Sequence, residues 1–364
     1  MIVLDVINHI EDLAPLAYAE DFDNVGLLVG DQSKEVTGIL VTLDTLPEVV
    51  DEAIAENCNL IISFHPIIFK GLKSINGKNY VERAVIKAIK NDIAIFAIHT
   101  ALDNAFEGVN SELCKRLELN KTSVLMPQVG TIKKLTTYVP KQDADTLRSA
   151  LFEAGGGAVG NYNHCSFNNS VEGTFMGNDA TNPTIGKPNQ LSRIEEIQLQ
   201  IIFAKHLESK ILNTLFQSHP YEEVAYNIVT LENKNQDIGM GMIGELKTPL
   251  SDTQFLEFVK SKLNCGVIRH SKLLGKPIKK VAVLGGSGSF GIQAAKSAAV
   301  DAYLTADLKY HDFFATDDHI LLMDVGHYES EQYTKNLLVT YLTKKIPNFA
   351  VLLSKINTNP VKYK

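Results

Sequence analysis

A chain of 364 residues with 45% hydrophobic composition is too long for one small core and has enough apolar side chains for two domains, with room for a third. The net charge of -7 makes naked nucleic acid a poor default partner, and no apolar run approaches the ~20 residues of a membrane span. Cys58, Cys114, Cys165 and Cys265 are scattered with no CxxC pair, which argues against a disulfide framework or a thiolate zinc site and fits a reducing cytoplasm; the segment from Met1 to Asp21 lacks the basic-then-apolar pattern of a signal peptide.

The first 125 residues alternate strand and helix. Val36 to Leu43 is a short β-rich run, and Pro47 opens a helix with Val49, Val50, Ala53 and Ile54 on one side. Asn59 to Ser63 reads as a buried strand that stops at Phe64-His65-Pro66. Tyr80 to Lys90 carries apolar residues at helical spacing, and Ile93 to Ile98 is a third strand that stops at His99. Between about Gln128 and Gly241 the pattern changes. Strand-like Lys134 to Val139 and a helix near Asp143 to Ala154 lead to a Gly-rich turn and a polar, Asn-rich stretch. Strand-like Ile197 to Phe203, a helix near Glu208 to Gln217 and strand-like Ala225 to Leu231 follow, and the series is read as a β–α–β–β–α–β order, the ferredoxin-like pattern, with one of its four strands not assigned to a run. Glu232 to Gly241, ending in Gly-Met-Gly-Met, reads as the return linker. The α/β series then resumes with strands at Val281 to Leu284, Ala302 to Leu304 and Ile320 to Met323, and closes on a helix marked by Tyr333, Leu337, Leu338, Tyr341 and Leu342. The expected fold is therefore α/β, with mostly parallel sheets covered by helices and an inserted ferredoxin-like α+β domain. The first part of the α/β domain spans residues 1–127, the insert 128–241 and the second part 242–364.

Three strands lead straight to a histidine: His65, His99 with Asp103 four residues on, and His327 with Glu331 four residues on. Ligands of parallel sheets collect at the carboxyl ends of strands, and a histidine and a carboxylate four apart share one helical face. Imidazole and carboxylate without thiolate suit zinc, manganese, iron or cobalt. A lone strand-end histidine is usually a hydrogen-bonded core or rim residue, so the pattern gains weight from its repetition. Asp307 and His311 also follow a strand end; they read equally as groups that orient a ligand or as a solvated helix start. Gly285-Gly286-Ser287-Gly288-Ser289 matches neither phosphate-loop pattern and reads as a tight turn. His219-Pro220-Tyr221-Glu222-Glu223 reads as a turn into the last strand of the insert. His9, His164, His206, His270 and His319 have no partner at useful spacing and read as structural or surface residues.

Asp23-Asn24-Val25-Gly26-Leu27-Leu28-Val29-Gly30, His65-Pro66-Ile67-Ile68-Phe69-Lys70-Gly71, His99-Thr100-Ala101-Leu102-Asp103, Gly285-Gly286-Ser287-Gly288, Thr305-Ala306-Asp307 and Gly326-His327-Tyr328-x-x-Glu331 occur in this order. Together they resemble the GTP cyclohydrolase I type 2 homologue family, also called Ngg-interacting-factor-three-like. The resemblance covers essentially the whole chain, and the insert looks like the PII/CutA-like module of the long bacterial members. It implies a toroidal homo-hexamer with one or two divalent ions in its cavity. His65 and Asp103 would hold one ion, His327 the second, Glu331 would bridge them and His99 would lie beside them. The family usually has two adjacent histidines before the proline. Here the first is Phe64, which cannot bind metal, so the second ion is left weaker, supported by His99 or water, or absent. Ala306 stands where glycine is common, with little effect expected on metal binding.

The function this implies is that of a metal-dependent hydrolase acting on a nucleotide or related phosphate ester, with Glu331 or His99 moving protons. The family name points to GTP ring opening, although no guanine pocket can be located from sequence. The alternative is a non-enzymatic, ring-shaped metal-binding scaffold whose inserts gate the cavity or bind a regulator. Binding to DNA or a transcription partner rests on the family label alone, and the acidic balance lowers it.

Overall fold

The computed structural model describes residues 1–364. Two compact units are present: Met1–Pro127 with Asp237–Lys364, and Gln128–Gln236. In chain order the first unit begins with α1 (Val3–Leu13), β1 (Gly26–Val29), β2 (Ile39–Thr42), α2 (Pro47–Ala55), β3 (Leu60–Ser63), α3 (Tyr80–Lys90), β4 (Ala94–Ala97), α4 (His99–Asn104), α5 (Val109–Arg116) and β5 (Asn120–Pro127). The second unit holds β6 (Ile132–Pro140), α6 (Ala144–Glu153), β7 (Phe167–Phe175), β8 (Ser192–Ala204), α7 (Glu208–Ser218) and β9 (Tyr226–Leu231). The first unit resumes with β10 (Gly239–Leu250), α8 (Asp252–Leu263), β11 (Arg269–His270), β12 (Ile278–Ser287), α9 (Ile292–Ser297), β13 (Ala302–Ala306), β14 (Leu321–Asp324), α10 (His327–Glu331), α11 (Thr334–Lys345) and β15 (Val351–Leu353).

Two sheets build the first unit. One has the order β1-β4-β3-β2-β15 and is parallel except for β1. Its central strands are apolar throughout because both faces are covered. Ile39, Val41, Leu60, Ile62 and Phe96 face α1 and α11, while Leu40, Ile61 and Ile95 face α2 and α3. The other sheet has the order β11-β14-β13-β12-β10-β5. Only β12, β13 and β14 run parallel there, so it is mixed rather than mostly parallel. Its core alternates in the same way: Val281, Val283, Leu304 and Met323 meet Phe255, Val259 and Leu263 of α8, and Ala282, Tyr303 and Leu322 meet Ile292 and Ala295 of α9.

Several expectations need revision. Gly239 to Gly241, the end of the segment read as a linker, opens β10, which is laid between β5 and β12. Gly239 has φ +152, and a side chain there would meet the Met126 carbonyl, so the glycine permits pairing with β5 rather than flexibility. Gly285 and Gly286 belong to β12, and the turn comes after them. In the second unit the polar stretch contains β7, an exposed strand whose Asn168 and Asn169 pair with Leu199 and Gln198 of β8. The four strands are antiparallel in the order β7-β8-β6-β9, and α6 and α7 bury Leu147, Leu151, Ile211 and Leu215 against Leu135, Leu199 and Ile201.

Because Pro127 of β5 pairs directly with Gly239 of β10, residues 128–236 leave and return at adjacent points of one hairpin. Replacing that segment by a short Asn-Gly turn is expected to leave a folded first unit with unchanged metal content per chain, checked by circular dichroism and elemental analysis.

Candidate metal centre

Strand ends deliver the histidines. β3 runs out at Ser63, whose hydroxyl donates to the His65 carbonyl at 2.7 Å, while the His65 amide donates to Leu43 O at 2.9 Å. β14 ends at Asp324, and Gly326, at φ +91, turns the chain into α10, whose first and last residues are His327 and Glu331. His99 opens α4 directly after β4, and Asp103 lies one turn on. The two sheets of the first unit thus contribute to one site, β3 and β4 from the first and β14 from the second.

Three donor atoms converge. His65 Nε2 and His327 Nε2 each lie 3.1 Å from Glu331 Oε2 and 3.4 Å from each other. Nitrogen ligands ~2.0–2.1 Å from a tetrahedral ion stand about 3.4 Å apart. Glu331 Oε2 is cut off from solvent and has no partner with hydrogen-bond geometry, and neither does the buried Asp103 Oδ1. Buried carboxylate oxygens without partners are costly, and a cation between the imidazoles would satisfy them. The donor set therefore fits a divalent ion. Gly286, at φ +67, leaves the room: a Cβ there would stand 2.3 Å from Glu331 Oε1.

Each of the three strand-end histidines is fixed through Nδ1 by a carboxylate. His65 Nδ1 donates to Asp44 at 2.8 Å, His99 Nδ1 to Asp23 at 2.8 Å and His327 Nδ1 to Asp307 at 2.7 Å. The carboxylates are anchored in turn. Asp44 accepts from Thr358 Oγ1 at 2.5 Å, Asp23 from Thr100 Oγ1 at 2.5 Å, and Asp307 from the Ser287 hydroxyl. Such pairing leaves Nε2 as the free lone pair, the usual arrangement of metal-binding imidazoles. The electrostatics are equally interlocked. Burial disfavours a charged His65, yet Glu331 and Asp44 outweigh it and raise its pKa to about 10; for His327, Asp307 and Glu331 overcome burial and raise it to about 11. Glu331 is pushed up by burial but pulled down further by the two imidazoles, to about 2. For Asp103, burial and then the charge of Glu331 raise the carboxyl well above its ordinary value. Asp23 stays ionised, its pKa lowered to about 2 because bonds from His99 and Thr100 overcome burial.

His65, His327 and Glu331 thus form one tight group, while Asp103 is outside that group but within its electrostatic reach. The spacing of their Nε2 atoms, 3.4 Å, lets His65 and His327 face one ion together. The His99 ring lies 5.2 Å from that of His65. Phe64 is fully buried, with its ring 5.5 Å from His99, and offers no donor. Asp307 orients His327, whereas His311 packs on Tyr310 and Phe314 and takes no part. His219 is buried in the second unit with Nε2 3.0 Å from Tyr138 O, and Tyr221 donates to Glu196 at 2.8 Å. Asp44 and Asp23 are functional candidates that the sequence reading missed. Asp44 follows β2 as His65 follows β3, so the strand-end rule, applied to carboxylates as well as histidines, would have found it. Beside the trio lies a cavity of about 390 Å³, bounded by Asp44, Arg269, Tyr328, Asn359 and Tyr363.

Asp103→Asn replaces the buried carboxyl beside Glu331 by a neutral amide. The metal-free variant is expected to melt no lower than wild type, while its affinity for zinc falls by about tenfold or more, read by chelator competition. In the metal-free protein the raised pKa values of His65 and His327 contribute stability that is complete below the unfolded value of 6.5 and is lost as pH rises through about 10 and 11. Glu331 sets the acid limit, its share being lost as pH falls from 4.5 toward about 2. The metal-free melting temperature should therefore decline across the alkaline window. Adding zinc at about pH 7 should release protons in a weakly buffered titration.

The family model described as Duf34/NIF3 (NGG1p interacting factor 3) matches residues 1–360. A Bacillus subtilis (strain 168) protein named GTP cyclohydrolase 1 type 2 homolog is 39% identical over 363 residues, covering 98% of this chain and 96% of its own. The crystal structure of a Bacillus cereus protein related to NIF3 aligns over 100% of this chain and 99% of its own, with a TM-score of 0.88 and 36% identity. A Staphylococcus aureus crystal structure aligns over the same shares with a TM-score of 0.79 and 31% identity. With a family model that spans nearly every residue and relatives alike over their full length, this chain belongs to the Duf34/NIF3 family.

Proposed function

We propose that the protein is a metal-dependent hydrolase that holds one divalent ion on His65, His327 and Glu331, with Asp103 as a further ligand or charge partner. The observation that carries this is the convergence of two Nε2 atoms and an otherwise unsatisfied carboxylate oxygen beside a cavity. Bound there, a zinc, iron, manganese or cobalt ion supplies Lewis-acid chemistry. The chain's own residues do the rest. Asp44 and Asp307 keep the ligand imidazoles in one tautomer, and the buried Glu331 compensates the charge. His99, set by Asp23 at Nδ1, is the candidate for carrying a proton at Nε2. A fully buried Phe64 supports one ion per chain rather than two.

The cavity's volume lies in the range of small-molecule sites, and Tyr328, Tyr363, Asn359 and Arg269 on its wall suit a planar ring and polar substituents. A nucleotide or related phosphate ester is the proposed substrate. The name of the Bacillus subtilis relative makes GTP the first compound to try. We further read the second unit as a ferredoxin-like insert of the PII/CutA kind, on its strand order and helix placement, and the assembly as a homo-hexamer in the cytoplasm. No helix is long and apolar enough to cross a membrane. Exposed Phe167, Met176 and Leu191 in the insert favour a second reading, a metal-binding scaffold that acts by association.

Metal-reconstituted protein is expected to hold one ion per chain by elemental analysis and to release formate or phosphate from GTP or a phosphate-ester panel, with Glu331→Gln reducing both. Stoichiometric metal without turnover on any substrate would favour the scaffold, and failure to bind zinc, iron, manganese or cobalt would end the metal-centre reading.

A further inference from the structure

Beyond β15 the chain has no regular structure, yet it is tied to both arms of the site. Ser354 N–H donates to Val41 O at 2.9 Å and the Lys355 amide to Glu52 at 2.8 Å, so the segment starts anchored on the first sheet. Thr358 is buried, and its hydroxyl donates to Asp44 Oδ2 at 2.5 Å. The other Asp44 oxygen accepts from His65 Nδ1. Asn359 Nδ2 then donates at 3.1 Å to Oε1 of Glu329, a buried residue of α10 between His327 and Glu331. Tyr363 ends the path, packed over Gly266 and with its hydroxyl beside Gly326, the residue that turns β14 into α10. Asn359, Pro360, Val361 and Tyr363 also form one wall of the cavity.

We propose that the C-terminal segment Thr358–Tyr363 is a positioning strap of the metal centre, in which the Thr358 hydroxyl sets Asp44 so that His65 presents Nε2 to the ion, and Asn359 sets the helix that carries His327 and Glu331. A hydroxyl donor on Oδ2 leaves Asp44 Oδ1 as a pure acceptor for the imidazole. The proton of neutral His65 is then held on Nδ1, and the lone pair on Nε2 faces Glu331. Without the hydroxyl the carboxylate can swing, and the imidazole loses both its tautomer and its aim. Asn359 secures the opposite arm, so a single stretch of chain spans the two ligand-bearing elements.

The strap rests on the reading that His65 is a ligand, and the experiment separates the two. Zinc affinity is measured by chelator competition, and the d–d spectrum is recorded on the cobalt-loaded full-length chain, for wild type, His65→Ala, Thr358→Val, Thr358→Ser and Asn359→Ala. The expected result is a 10–100-fold loss of affinity and an altered cobalt spectrum for Thr358→Val, with metal-free melting close to wild type. Thr358→Ser, which keeps the hydroxyl, should restore affinity and spectrum. Should Thr358→Val prove unfolded, Asn359→Ala carries the test through the other arm, with weaker binding expected and wild-type binding counting against the strap. Wild-type affinity in a folded Thr358→Val, or a Thr358→Ser as impaired as the valine, overturns the strap while a large effect of His65→Ala leaves the metal centre standing. An unchanged His65→Ala overturns both.

Discussion

A carboxylate with no escape organises this site. Glu331 lies in the interior with one oxygen 3.1 Å from each of two imidazole Nε2 atoms and no hydrogen-bond donor properly placed for it. A buried charge of that kind is tolerated only if cations surround it, whether protons on the two histidines or a metal ion between them. The same demand explains the elevated pKa values of His65 and His327 and the protonation-prone Asp103 nearby. Proton and metal would be alternative occupants of one electrostatic hole, and the surrounding architecture keeps that hole open.

Keeping it open requires both sheets. His65 is delivered by β3 of the first, His327 and Glu331 by the helix after β14 of the second, and Gly286 at the end of β12 gives the carboxylate its space. Main-chain bonds lock this part further, since Gly285 N–H donates to Asn110 and Gly286 N–H to Ser330, whose hydroxyl returns to the His327 carbonyl. The histidines are rigid because Asp44, Asp307 and Asp23 occupy every Nδ1. The roles are thus divided between a few atoms that would meet an ion and the carboxylates that hold the imidazoles through Nδ1.

Arg269 illustrates a different use of charge on the same wall. It pairs with Asp324 and also donates to the Leu308 carbonyl, tying β11 to the end of β14. Its guanidinium is half-exposed at the cavity while partly neutralised, so it offers a directional hydrogen-bonding group more than a net positive field.

Hydrophobic periodicity and punctuation were enough to locate α2, α3, α6, α7, α11 and the central strands, because buried parallel strands read as short apolar runs and α3 carries an unambiguous helical face. The candidate ligands were legible for the same reason: they stand where apolar runs stop. Strands β7 and β10 were not, since β7 is polar and exposed and β10 begins on glycines that local rules assign to turns. Both owe their form to a partner strand far away in sequence. Asp44 and Thr358 are 314 residues apart, and no spacing rule joins them. What the sequence by itself determined was the kind of chemistry, imidazole and carboxylate at strand ends. Which of them come within reach of one another, and which carboxylate holds which ring, was decided only by the packing of two sheets, because distances of about 3 Å between atoms on separate strands depend on tertiary register and not on local order.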